Sequence, residues 1–120
     1  DIRPYFSNIG SIMANADIII SRAGANTVFE MCSIGKPFIL VPLQNSIDDD
    51  QFKNAKFFFD KGACLIFNEL TSNPKMMSSM IINLISRKNE RARMANKARE
   101  IGKIKSRKIF VQLLDKYLSE

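Results

Sequence analysis

Residues 17–35, DIIISRAGANTVFEMCSIG, decide the fold, because the periodicity of the chain changes twice within them. Residues 17–21 are a short β-branched run without polar alternation, the pattern of a buried strand in a parallel sheet. Arg22, Ala23 and Gly24 then make a turn. Residues 26–34 read as a helix ended by Gly35, the residue type that most readily takes a left-handed cap. A strand entering a helix through a glycine-containing turn is the opening of a βαβ unit.

The same alternation continues outward. Lys36 and Pro37 break the helical pattern, and residues 38–41 (FILV) read as a second buried strand closed by Pro42. A polar, acidic loop over residues 44–50 precedes a helix at 51–60, which Lys61 and Gly62 end. Residues 63–67 (ACLIF) are a third strand. Ser72 or Asn73 caps a long helix through Met76, Met80, Leu84 and Ile85, with Pro74 in its first turn. Residues 90–101 and 106–118 supply two closing helices, and residues 9–16 a short upstream one, with Ile9, Ile12 and Met13 on one face. The rhythm predicts an α/β fold with a doubly wound parallel sheet. Three strands are few for such a sheet, so the expectation is part of a larger domain. The 120 residues suffice for one core and not two.

Composition removes several classes of function. Histidine is absent, which excludes a Ser/His/Asp or Cys/His nucleophile system carried by this chain and any histidine-based zinc site. Cys32 and Cys64 sit in apolar contexts without metal-knuckle spacing and are expected to be buried and reduced. Phe57, Phe58 and Phe59, and likewise Met76, Met77 and Met80, are expected in the core. No apolar run approaches the roughly 18 residues of a membrane span. The opening Asp1, Arg3 and Pro4 lack the basic-then-apolar order of a signal peptide, and the expected location is cytoplasmic.

The charge is uneven. Residues 1–86 hold 7 basic and 8 acidic side chains, net −1, whereas residues 87–120 hold 11 and 4, net +7. Such a block suits an anionic membrane surface or the solvated outer faces of two helices. No aromatic side chain interleaves with these cations before Phe110, so nucleic-acid binding is not expected.

Ligands of such sheets bind outside the carboxyl ends of the strands. Three segments fall there: residues 21–27, 42–51 and 68–70. In the first, Gly24 has no side chain to keep a phosphate from the N–H groups and positive end of the following helix. Thr27 adds a hydroxyl, and Glu30, one turn on, offers a carboxylate suited to both hydroxyls of a ribose. Thr27 and Glu30 also spell a T-x-x-E capping box, which needs no ligand. In the second segment, amides and three aspartates lie near the cleft without the glycine and closing glutamate of a calcium loop, so no metal is expected. Gln51, the first helical residue after it, projects toward the cleft.

These residues taken together resemble the MurG-type glycosyltransferases. The likeness runs from Ala16 and Asp17 through Ile18, Ile19, Ile20, Ser21, Arg22, Ala23, Gly24 and Ala25 to Thr27 and Glu30. It continues through Gly35-Lys36-Pro37, Ile39-Leu40-Val41-Pro42, Asp48-Asp49, Gln51, Asn54-Ala55, Gly62-Ala63, Met94-Ala95 and Ala98-Arg99. The resemblance implies a Rossmann-like sheet belonging to the C-terminal, donor-binding half of a GT-B glycosyltransferase. The acceptor-binding N-terminal half and the general base would then lie outside residues 1–120, leaving this chain inactive alone. The implied reaction is inverting transfer of N-acetylglucosamine from UDP-N-acetylglucosamine to a lipid-linked muramyl-pentapeptide, on the inner face of the bacterial cell membrane and without a cofactor. By carry-over, Gly24, Ala25 and Thr27 hold the diphosphate, Glu30 the ribose, Phe6 the uracil, and Gln51 the sugar hydroxyls, with Asn54 in support. Asp50 departs from the family's usual His or Gln, replacing a donor with a group that only accepts, and Asn26 stands at a commonly apolar position. Alternatives are a non-catalytic donor-binding subunit needing a membrane-bound partner chain, and a sugar-nucleotide epimerase, which usually carries catalytic histidines.

Overall fold

The computed structural model describes residues 16–43, 51–103 and 107–119. The short helix expected at residues 9–16 and the acidic loop at 44–50 fall on residues outside these, apart from Ala16. Three parallel strands, β1 (Ile19–Ser21), β2 (Phe38–Leu40) and β3 (Cys64–Ile66), lie side by side in sequence order. Helix α1 (Ala25–Ile34) connects β1 to β2 and α2 (Gln51–Asp60) connects β2 to β3. Three helices follow: α3 (Pro74–Ser86), α4 (Lys88–Gly102) and α5 (Arg107–Ser119).

Strand side chains alternate between faces, so even a wholly apolar strand serves two layers. Ile19, Phe38, Leu40 and Cys64 point into the larger core with Val28 and Met31 of α1, Phe57 and Phe58 of α2, and Leu114 of α5. Ile39 points the other way, into a smaller core with Leu84 of α3 and Met94 of α4, against which Met77, Met80 and Ile81 pack. Helix α4 joins the layers: Met94 faces the second core, Ala98 and Ile101 the first. The expected α/β architecture with helices on both faces is therefore what the chain forms.

Of the three described strands, only β2 is buried along its whole length. The first strand is shorter than residues 17–21, and its Ile20 is 47% exposed, because β1 has a strand neighbour on one side only among the described residues. Phe59 is about as exposed as Ile20, since consecutive helical residues diverge by about 100° and three in a row do not share one buried face. Met76 is likewise on the outward face of α3, not in the core.

Local chemistry fixes the ends of the helices. Gly35 ends α1 at φ 75° and Gly62 follows α2 at φ 81°, both in the left-handed region where a Cβ is strained. Asn73, and not Ser72, caps α3, its side chain accepting from the Met76 N–H at 3.0 Å. At the far end of α3, Arg91 Nη1 donates to the Leu84 carbonyl at 3.0 Å and also to that of Ile85. Gly102 lets α4 approach the α1 backbone: a Cβ there would stand 2.7 Å from Ser33 Cα. Cys32 and Cys64 are buried free thiols, and burial pushes Cys32 up to about 12 and Cys64 higher still, so both behave as small apolar side chains.

Candidate functional site

All three strands end on one edge, and the segments that follow them meet there. From β1 the chain passes through Arg22 and Ala23 to Gly24, which stands at the N-cap of α1 with φ −67° and ψ 130°. The first intrahelical bond runs from the Val28 N–H to the Gly24 carbonyl at 3.0 Å. The N–H groups of Ala25, Asn26 and Thr27 therefore precede the hydrogen-bonded ladder, and among the described residues no side chain caps them. The first turn carries no acidic residue that would neutralise the positive end of the helix.

The capping-box alternative is not realised. The helix begins at Ala25, so Thr27 is its third residue and is exposed, while Glu30 lies exposed one turn further on. The helix also starts one residue before the expected Asn26, since Gly24 in extended geometry serves as the cap.

Helix α2 holds this turn from beneath. Gln51 Oε1 accepts from the Ala23 N–H at 3.2 Å and from the Leu43 N–H at 2.7 Å, tying the segment after β1 to that after β2. Asn54 Nδ2 donates to the Ala23 carbonyl at 3.2 Å, so both backbone groups of Ala23 are engaged by α2 side chains. Both amides are buried, Gln51 to 9% and Asn54 to 4% exposure. Among the described residues the Gln51 Nε2 makes no hydrogen bond, and because Oε1 faces Ala23 and Leu43, its donors are directed away from the turn.

Arg22 closes the other side. Its Nη1 donates to the Val41 carbonyl at 3.4 Å and forms an ion pair with Glu69, in the turn after β3. One side chain thus crosses the ends of all three strands. Residues 68–70 fall on this edge in the sequence pattern, but Glu69 carries no local mark of a role there, since its partner Arg22 is 47 positions away. Gln51 likewise shows no sign in the sequence that its side-chain oxygen is spent on the backbone of Ala23 and Leu43.

The structure brings Gly24, Ala25, Thr27, Glu30, Gln51 and Asn54 together around the start of α1. Phe6 and Asp50 lie outside the described residues. No group of three or more potential metal-ligating side chains occurs among the described residues. No described helix is long and apolar enough to cross a membrane.

The parallel sheet, its helix-bearing faces and its polar carboxyl edge define a Rossmann-like α/β domain. Residues 1–113 match the glycosyltransferase family 28 C-terminal domain, and the chain belongs to that family. The fold aligns with the crystal structure of MurG from Acinetobacter baumannii, with a TM-score of 0.80 and 33% identity over 97% of this chain and 33% of that one. Two relatives carry the name UDP-N-acetylglucosamine--N-acetylmuramyl-(pentapeptide) pyrophosphoryl-undecaprenol N-acetylglucosamine transferase. The Desulfotalea psychrophila protein is 33% identical over 101 residues, covering 84% of this chain and 27% of its own. That of Bradyrhizobium sp. (strain ORS 278) is 34% identical over 116 residues, covering 97% and 32%. The chain therefore spans about a third of the length of these relatives.

Proposed function

We propose that this chain is the donor-binding part of an inverting hexosyltransferase that moves N-acetylglucosamine from UDP-N-acetylglucosamine to a lipid-linked muramyl-pentapeptide in peptidoglycan synthesis. The observation that carries the reading is the Ala23 turn, clamped through both its backbone groups by Gln51 and Asn54, in front of an acid-free helix start. Such a helix start takes an anion through N–H groups that are already aligned. In the reaction the N–H groups of Ala25 and Thr27 receive the negative charge that grows on the leaving diphosphate, which lowers the barrier to departure. Glu30 accepts from the ribose hydroxyls and Gln51 Nε2 donates to a sugar hydroxyl. Phe6 meets the uracil. The attacking hydroxyl belongs to the lipid-linked acceptor; the other half of the enzyme binds that acceptor and supplies the base that takes its proton as UDP departs.

The match to the family's C-terminal domain and the relatives' names support this reading. The test is an amide NMR titration of the chain with UDP-N-acetylglucosamine, with UDP-glucose and ATP as controls. Shifts confined to Gly24, Thr27 and Gln51, for UDP ligands and not ATP, are expected. A dispersed spectrum with no response would remove the donor site.

We further propose peripheral attachment to the anionic inner face of the cytoplasmic membrane through the outward cations of α4. Arg93 and Lys97, one turn apart, are exposed on one face there, although Arg93 pairs with Glu90 at 3.2 Å and Lys97 with Glu100 at 3.8 Å. Arg91 is not part of this face, because its guanidinium is spent on the end of α3. Flotation with anionic and neutral vesicles decides it, retention on the anionic ones alone being expected.

A further inference from the structure

The contact between Arg22 and Glu69 is the feature of the carboxyl edge that the donor-site reading does not use. Adjacent strands are roughly 4.8 Å apart, so β1 and β3 are separated by about 10 Å at their tips, and only a long side chain bridges them. Arg22 does so, touching Val41 on the way. Its far anchor is rigid: the Phe67 N–H donates to the Leu40 carbonyl at 2.9 Å, the Leu70 N–H to Asn68 Oδ1 at 2.9 Å, and the Thr71 N–H to the Asn68 carbonyl at 3.3 Å. Glu69 therefore projects from a closed turn fastened to β2. The near anchor is the first residue of the turn whose second residue, Ala23, is held by Gln51 and Asn54.

We infer that Glu69 is a positioning residue for the nucleotide diphosphate, acting through Arg22 to hold the start of α1 in register with the ends of β2 and β3. Residues 22 and 23 are pinned from two directions, by a charged strut across the strand tips and by neutral amides from α2. The pair contributes little to global stability, since its side chains are 50% and 46% exposed. Its consequence lies in alignment, because three N–H groups serve one anion only when held to within about 0.5 Å. The inference rests on the diphosphate reading above and adds to it the third strand's turn, at Glu69.

The experiment is calorimetric titration of the 120-residue chain with UDP, comparing Glu69→Gln and the charge-swapped pair Arg22→Glu with Glu69→Arg. Glu69→Gln is expected to weaken UDP about fivefold with an unchanged melting midpoint, and the swapped pair to recover most of the loss. Unchanged or tighter binding in Glu69→Gln overturns the inference, as does a swapped pair no better than the single variant, which would make Arg22 a direct ligand. If the unaltered chain binds no UDP, it is the donor-site reading that fails. Amide exchange at Ala23 then decides the strut: faster exchange in Glu69→Gln supports it, and an unchanged rate overturns it.

Discussion

The two ends of α2 perform different tasks by different physics. At its start, Gln51 and Asn54 are neutral amides, buried, and bonded to the backbone of the Ala23 turn. At its end, Asp60 is an exposed carboxylate that accepts from the Tyr117 hydroxyl of α5 and pairs with Lys56 at 3.0 Å. Phe57 lies between them, edge-on to Tyr117 with ring centres 5.1 Å apart and with Lys61 over its face at 5.7 Å. One helix of ten residues, about 15 Å long, carries a contact that does not titrate at its start and one that does at its end. Buried amides hold geometry at any pH and are costly to break. Exposed charges hold it cheaply and over a limited pH range.

The sharpest way to break the first end is Asn54→Ala. The buried Ala23 carbonyl loses its donor, and an unsatisfied buried acceptor costs about 1–3 kcal/mol. A melting experiment should register that loss, and UDP binding should fall with it, because the turn loses one of its two clamps. A variant as stable and as tight-binding as the original would show that α2 does not organise the site. Glu30→Ala sharpens the same contrast from the ligand side. Glu30 is exposed on α1, so stability should change by no more than about 0.5 kcal/mol, while UDP affinity falls about tenfold. Calorimetry showing unaltered affinity would remove the ribose role.

These two ends were unequally legible in the sequence. The order of strands and helices follows from the apolar runs and their punctuation, and α2 spans the expected residues 51–60. The glycine turn into α1 marks the candidate edge, because the need for backbone access there is local. What α2 does was not legible. Gln51 and Asn54 read as polar helix residues near a cleft, and that they face Ala23 follows only once β1 and β2 are paired. The same holds for Arg22 with Glu69 and for Asp60 with Tyr117, pairs fixed by tertiary packing between residues 47 and 57 positions apart. Burial along β1 was overestimated for a related reason. An apolar run states that a strand is suited to a buried place, and its neighbours in the sheet determine how much of it is covered.

The smallest effect belongs to the far end of α2, and it carries a pH signature. Hydrogen bonding from Tyr117, and then from Lys56, holds the Asp60 carboxyl below its ordinary value of 3.8. Accepting by Asp60 also raises Tyr117 above its ordinary value of 10.0. A depressed carboxylate stabilises the folded form above its unfolded value, and that contribution disappears as pH falls through the lowered one. A raised phenol contributes below its unfolded value and ceases to do so as pH climbs through the elevated one. The attachment of α5 to α2 should thus be constant between about pH 4 and pH 10 and weaken on both sides. The Tyr117 ring resonances report it directly. Asp60→Asn keeps an acceptor for the hydroxyl and removes the titrating charge, so its acid limb should flatten, with no change in UDP affinity at pH 7. An acid limb that persists in Asp60→Asn would place the titrating group elsewhere. A loss of UDP binding would mean that the two ends of α2 are coupled, the shared core around Phe57 and Phe58 carrying strain from one to the other.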